Sequence, residues 1–369
     1  MIKTLIVALF LFPTVSILNA QTLEGWSSEA ARGYLDARMT WWTTWPNAAR
    51  DHQTFCISCH TVLPYALGRP ALRKDLGEHA VSPVESHLIE DVTKRVRMWK
   101  DVEPFYPDAK RGVPKTAESR GTESILDALI LVWYDRQSPD ARLALANMWE
   151  LQLTEGKAAG AWNWLEFHNT PWEGDSQYYG ATLAALAAGL AANHPPGIKP
   201  LRDYLQREQN SQVPLNRVML LWASTKLDLL LTTARQRAII EEALAKQQSD
   251  GGFSLSSFIG EWKRRDGTPQ ETRSDGFATG LVTLALQEAG IPADQTQLRH
   301  GLEWLNRNQD KTEGRWLAYS PNKQRDLSTD VGRFMSDAAT AFAVLSLEQA
   351  RSRSLVPTLE ATRDSKGNR

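Results

Sequence analysis

Three segments of this 369-residue chain follow one plan, and that plan limits the fold more than any other feature. The first runs from Met148-Trp149-Glu150-Leu151-Gln152 through Gly160-Ala161-Trp162 to Asp175-Ser176-Gln177-Tyr178-Tyr179-Gly180-Ala181-Thr182-Leu183. The second runs from Ala245-Lys246-Gln247-Gln248-Ser249-Asp250-Gly251-Gly252-Phe253 to Ser274-Asp275-Gly276-Phe277-Ala278-Thr279-Gly280-Leu281. The third runs from Trp304-Leu305-Asn306-Arg307-Asn308-Gln309 through Gly314-Arg315-Trp316 to Ser336-Asp337-Ala338-Ala339-Thr340-Ala341-Phe342. Each reads as a helix, a Gln-bearing end, a Gly–aromatic turn, a loop, an acidic helix start and an Ala/Leu-rich helix. Self-similarity on this scale sets the fold class before any single motif does.

Weaker copies extend the plan. Arg120-Gly121-Thr122-Glu123 opens an apolar helix to about Trp133, Leu215–Leu231 forms another, and Cys59-His60-Thr61-Val62-Leu63 opens a further one. The helical stretches fall into pairs at roughly 27–68, 86–135, 139–192, 198–231, 235–289 and 297–350. The second member is generally less charged, as expected of a helix enclosed by others. No run of alternating Val, Ile and Thr points to a sheet. A lone pair cannot bury its apolar face, so neighbours must stack. Six pairs closing on themselves predict an all-α fold, a single α/α barrel or toroid over 21–350.

The Gln-to-Gly-aromatic turns resemble the QW motifs of the squalene-hopene cyclase family and of its relatives, the protein prenyltransferase β subunits. The resemblance spans about 140–350. It implies an α/α toroid of the terpenoid cyclase/prenyltransferase-like kind, whose inner-helix starts line a central cavity for a small organic, even isoprenoid, ligand. The D-x-D-D protonation motif of those cyclases and the Asp-x-Cys zinc pattern of the prenyltransferases are absent here. The resemblance therefore bears on fold more than on chemistry.

The ends and the charge bound the setting. Lys3 precedes the uncharged apolar run Leu5–Leu18, and Asn19-Ala20 offers a cut before Gln21, so 1–20 reads as a secretory signal peptide. No span remains after its cleavage, and the expected location is periplasmic or secreted. Residues 351–369 read as a disordered tail. With 42 basic and 43 acidic residues the net charge is −1, which excludes a strongly basic nucleic-acid binder or polybasic membrane arm.

Both cysteines of the chain sit in Cys56-Ile57-Ser58-Cys59-His60, the C-x-x-C-H pattern of c-type haem attachment. Thiols three apart on a helical turn reach both vinyl groups of one porphyrin, and the next residue sets an imidazole against iron. This predicts one covalently bound haem c, held by Cys56 and Cys59, with His60 as axial ligand. Met335, His168 and His52 are the candidates for the distal place; a five-coordinate iron would favour ligand binding. Pro64 cannot donate to the carbonyl of His60, so that turn is expected to be loosened. A disulfide, redox thiols, or a zinc site using His52 are the duller readings of the same cysteines.

Four acids, Glu123, Asp175, Asp275 and Asp337, fall near inner-helix starts. There they complement the helix dipole, or converge on the cavity as general acids, Asp275 and Asp337 above all. Trp149, Trp304 and Trp316 read as packing between repeats. Core packing is the default for the other aromatics too; beyond it, Trp162, Trp164, Trp172, Tyr178 and Tyr179 could line an apolar or sugar-binding cavity, and Trp41, Trp42 and Trp45 could pack against a porphyrin. The leading reading is an exported haem-c toroid acting as an oxidoreductase or electron-transfer component, with a periplasmic redox partner. One alternative is a haem-free cyclase-like lyase or isomerase using cavity-mouth carboxylates, with Cys56 and Cys59 as a disulfide. A second is a non-catalytic haem or ligand sensor; a carbohydrate-active enzyme is a further option, since α/α barrels also serve that class.

Overall fold

A computed structural model describes residues 25–111, 115–174, 177–191 and 195–354. The expected export segment lies outside them, as does the tail from 355 onward. Residues Arg351–Ser354, which the sequence reading assigned to the tail, continue the last helix.

The helices pair as outer and inner members. Outer α1 (Ser28–Thr44) precedes inner α2 (Val62–Asp75). Outer α3 (Pro83–Arg97) precedes inner α5 (Thr116–Asp135), with the one-turn α4 (Asp108–Arg111) between them. Next come α6 (Pro139–Glu150) with α7 (Tyr178–Ala191), and α8 (Ile198–Glu208) with α9 (Pro214–Ser224). Last are α10 (Thr233–Leu244) with α11 (Gly276–Glu288), and α12 (Thr296–Arg307) with α13 (Phe334–Ser354). The inner helices pack in the closed order α2, α5, α7, α9, α11, α13 and back to α2. This is the expected single α/α toroid of six pairs. No helix among the described residues is long and apolar enough to cross a membrane.

Sequence pattern explains which helix goes where. Outer α8 buries Ile198, Leu201, Tyr204 and Leu205, one stripe at helical spacing, and leaves Lys199 and Asp203 to water. Inner α7 and α11 are buried on every side and rich in Ala, Gly and Thr. Small side chains let the inner helices approach closely. A Cβ on Gly280 would stand 2.6 Å from the backbone nitrogen of Ala343, so α11 and α13 touch almost backbone to backbone.

The repeat's Gln and Gly do one job three times over. Gln152 Nε2 donates to the carbonyls of Gly160 and Gly197, each at 2.9 Å. Gln247 Nε2 donates to Gly251 O at 2.8 Å and Gln297 O at 2.6 Å. Gln309 Nε2 donates to Gly314 O and Ser27 O, each at 2.9 Å. In every case one amide clamps its own turn and the start of the next outer helix. The third clamp reaches Ser27, the N-cap of α1, and so closes the ring. Gly314, at φ +76°, is required there: a Cβ would meet Ala30 O at 2.2 Å. The aromatic partner locks the turn, as Trp316 Nε1 donates to Leu305 O at 2.7 Å.

The lumen holds aromatic rings where the sequence reading placed a ligand. Trp222 of α9 meets Trp133 of α5, centroids 6.5 Å apart, and Phe342 of α13 at 6.1 Å. Neither pair of helices is adjacent in the ring, so these contacts cross the lumen. Phe342 then meets Phe277 at 5.6 Å, and Phe277 meets Trp172 at 5.7 Å. A ring of six helices leaves room for little beyond these side chains, so the ligand space moves to the mouth.

The clamp yields a prediction. Gln309→Ala removes a donor from Gly314 O and Ser27 O and the acceptor of Ser27 N–H at the ring seam, and should lower stability by about 1–3 kcal/mol. Urea unfolding should show the midpoint falling at unchanged slope.

Candidate functional site

A two-residue hairpin that the sequence reading did not anticipate delivers the cysteines. Ala49–Arg50 pairs antiparallel with Thr54–Phe55. Arg95 anchors it from α3: its guanidinium donates to Thr54 Oγ1 at 2.6 Å and Glu103 O at 2.7 Å, and pairs with Glu123 at 2.6 Å. Glu123 therefore sits two turns into α5 as the buried partner of Arg95, away from the helix start where the sequence reading placed it. Phe55 N–H donates to Asp91 Oδ1 at 3.1 Å, and Cys56 N–H to Ala48 O at 2.8 Å.

The C-x-x-C-H segment lies in a turn just before α2, not on the helix itself. Ser58 terminates that turn, its Oγ accepting from Thr61 N at 3.3 Å and Val62 N at 3.1 Å. Pro64 falls in the first turn of α2, where an N–H has no helical partner to lose. The expected loosening is absent: Leu63 N bonds Ser58 O and Tyr65 N bonds Thr61 O.

Cys56 and Cys59 are buried free thiols. Burial pushes Cys56 up to about 12, with Arg50 opposing, and pushes Cys59 well above the usual thiol range. Trp42 Nε1 donates to Cys56 O at 2.8 Å. His60 sits among rings: Phe334 is stacked on it at 3.9 Å, Trp42 edge-on at 5.2 Å, Trp172 at 5.8 Å. Burial, with Arg38 and Arg325 adding, lowers its pKa to about 3, so the imidazole is neutral. His60 Nδ1 lies 2.9 Å from Thr61 Oγ1, and Thr61 Oγ1 donates to Asp337 Oδ2 at 2.7 Å. Asp337 also accepts from Tyr34 Oη at 2.7 Å and Arg38 Nε at 2.8 Å. Burial raises its pKa against those donors.

A cavity of about 1010 Å³ opens beside the motif. Cys56 and His60 lie on its wall, with Trp42, Trp45, Phe105 and Phe334 as flat surfaces and Arg50, Lys110 and Arg265 as cations. Glu173 is on the wall too; burial pushes it up to about 7, with Asn169 and Lys115 opposing. That volume matches the upper end of small-molecule sites.

The sequence-predicted residues divide clearly. Cys56, Cys59 and His60 come together, and Trp42 and Trp45 reach the cavity as expected. Asp337 joins the motif through Thr61 but is not on the cavity wall. Asp275 is the N-cap of α11, accepting from Phe277, Ala278 and Leu255 N–H at 3.0, 2.9 and 2.6 Å. Burial holds it up at about 6 despite those donors. Asp175 lies outside the described residues. Met335 is buried in α13, His168 packs on Trp262 at 4.5 Å, and His52 is near Asp51 at 3.6 Å. None of the three lines the cavity among the described residues. Nor do those residues form any cluster of three or more His, Cys, Asp or Glu able to hold a bare metal ion. Phe334, Glu173, Arg50 and Arg265 were missed because only the folded loops bring them to the motif, and Thr61, next to His60 in sequence, was read only as part of a helix start.

No family model matches the chain, and no curated protein matches it. Among solved structures, one similar chain is an unsaturated glucuronyl hydrolase, solved as an Asp-to-Asn variant with dGlcA-Glc-Rha-Glc. It is 11% identical, has a TM-score of 0.52, and the match covers 87% of this chain and 96% of that one. Likeness of that degree shows the fold, an α/α toroid.

The thiols' burial predicts their reactivity in protein made without haem attachment. Iodoacetamide should label neither cysteine appreciably at pH 8 while the chain is folded, and both rapidly in guanidinium chloride. Mass spectrometry of the two samples measures it.

Proposed function

We propose that this chain is an exported, haem-c-bearing α/α-toroid protein that acts as an oxidoreductase or electron-transfer component. One observation carries the reading: Cys56 and a neutral His60 line a cavity of porphyrin scale, with the second unbridged, buried thiol, Cys59, next to His60 in the chain. The residues fit the group. Each thiol would add across one vinyl C=C, its sulfur forming a C–S bond and its proton going to carbon, so nothing leaves. His60 would hold the iron, and neutral imidazole is the form that binds metal. Trp42, Trp45, Phe105 and Phe334 offer apolar faces for the macrocycle. Arg50, Lys110 and Arg265 offer charge for its carboxylates. A bound haem would supply a one-electron iron couple, and Cys56, Cys59 and His60 would be the residues that hold it. Such attachment belongs outside the cytoplasm, in keeping with an export segment at 1–20.

A second reading, a haem-free lyase or hydrolase, draws on two observations. The fold is also that of a saccharide-bound enzyme. And Glu173, on the cavity wall with its pKa raised to about 7, would be partly protonated near neutrality, as a general acid must be. In this reading Glu173 replaces Asp275 and Asp337, whose carboxylates are occupied by backbone and side-chain donors.

Two measurements separate the readings. Protein exported through a cytochrome c maturation system should keep one haem after denaturation, and Cys56→Ala/Cys59→Ala should lose it, by intact mass and absorption spectrum. Bare polypeptide from the unmutated protein would sink the haem reading. The lyase reading instead expects an activity that declines as pH rises through about 7 and falls at least a hundredfold in Glu173→Gln.

A further inference from the structure

His60 is not held by its ring packing alone. Its Nδ1 is 2.9 Å from Thr61 Oγ1. A threonine hydroxyl has one proton, and that proton points to Asp337 Oδ2 at 2.7 Å. Asp337 cannot return one: Tyr34 Oη donates to its Oδ1 at 2.7 Å, and Arg38 donates to Oδ1 at 2.8 Å and Oδ2 at 3.2 Å. Arg38 is fixed in turn, giving Nη1 to Asp330 Oδ1 and Nη2 to Asp330 O, both at 2.7 Å. Every proton in this chain of contacts has one place to go. Thr61 Oγ1 can then only accept from His60, so Nδ1 carries the ring proton and Nε2 keeps its lone pair.

We infer that Thr61 and Asp337 are positioning residues for His60: they fix its tautomer, aim Nε2 at a metal, and make the imidazole a stronger donor. The inference rests on the haem reading for its consequence, but the tautomer itself does not depend on haem. A ring N–H bonded through a hydroxyl to a carboxylate behaves like the second-shell carboxylates that orient metal-binding histidines and raise their basicity. A more basic axial imidazole favours ferric over ferrous iron. The repeat position that suggested an acid at Asp337 thus serves a ligand on the first pair, across the seam where the ring closes. Arg38 and Tyr34, both on α1, belong to the same device.

Two variants test it, because Asp337→Asn risks the fold at a buried ion pair while Thr61→Val removes only a hydroxyl of equal size. In haem-loaded protein, Thr61→Val should shift the ferric–ferrous equilibrium about tenfold toward ferrous. For a one-electron couple that is a midpoint potential about 59 mV higher. The iron–imidazole stretch in resonance Raman should fall in frequency, and Thr61→Ser should restore both values. In haem-free protein, nitrogen-15 NMR should show His60 as the neutral Nδ1–H tautomer, and Thr61→Val should lose that preference. An Nε2–H tautomer in the unmutated protein overturns the relay whether or not haem binds. Haem-loaded Thr61→Val with wild-type potential and Raman frequency also overturns it. Absence of any covalent haem would defeat the proposed function and leave the tautomer measurement to decide the relay alone.

Discussion

The Asp337 carboxylate is the contact on which the seam of the toroid turns. It is buried and accepts from Thr61 before α2, from Tyr34 and Arg38 on α1, while standing itself on α13. First and last helix pairs are thereby joined by one anion. A buried carboxylate is costly unless its oxygens are filled, and here three residues fill both of them. Truncating one partner of such a buried ion pair costs about 3–5 kcal/mol, because the remaining charge stays buried. The Gln309 clamp to Ser27 closes the same seam from the outer ring. The join is therefore held twice, once by a backbone-directed amide and once by charge.

That seam also decides where chemistry can happen. The lumen is filled by Trp133, Trp222, Phe342, Phe277 and Trp172, so nothing sizeable enters along the axis. Long loops roof the mouth and are tied to each other. Asn322 bonds Thr170 N and O and the Trp262 indole, linking loops of three different pairs. The cavity beside the motif lies to one side, where pair one departs from the repeat by inserting a hairpin and the C-x-x-C-H turn. Loops of pairs two, three and five and the start of α13 in pair six complete its wall through Phe105, Glu173, Arg265 and Phe334.

Much of the fold was legible because repeats write the same physics several times. Six pairs, their order and their closure followed from periodicity and from three Gln–Gly–aromatic turns, and the observed helix limits differ from the expected ones mainly at the ends. The place of the cysteine turn, directly before an inner helix, was legible as well. What could not be read was anything assembled across the sequence. Thr61 looks like an ordinary helix-start residue until Asp337, 276 positions away, accepts its proton. Glu123 resembles a dipole partner by register, yet Arg95 draws it into an ion pair under the hairpin. The filled lumen was missed for a related reason: sequence pattern marks Phe342 and Trp222 as buried but does not say that they meet across the ring.

The acids at inner-helix starts show how one repeat position acquires different duties. Asp275 spends both oxygens on backbone N–H groups, two of its own helix and one of the preceding loop. That is the ordinary use of an acid in this place, since any helix start offers free N–H donors. Asp337 aligns with it in the repeat but stands at the fourth residue of α13, one turn inside the helix, and it faces side chains of pair one. With no backbone to cap, its charge must be answered by Arg38, and its second oxygen becomes available to Thr61. A carboxylate freed from capping can instead join two helix pairs, here α13 to α1 and to the turn before α2.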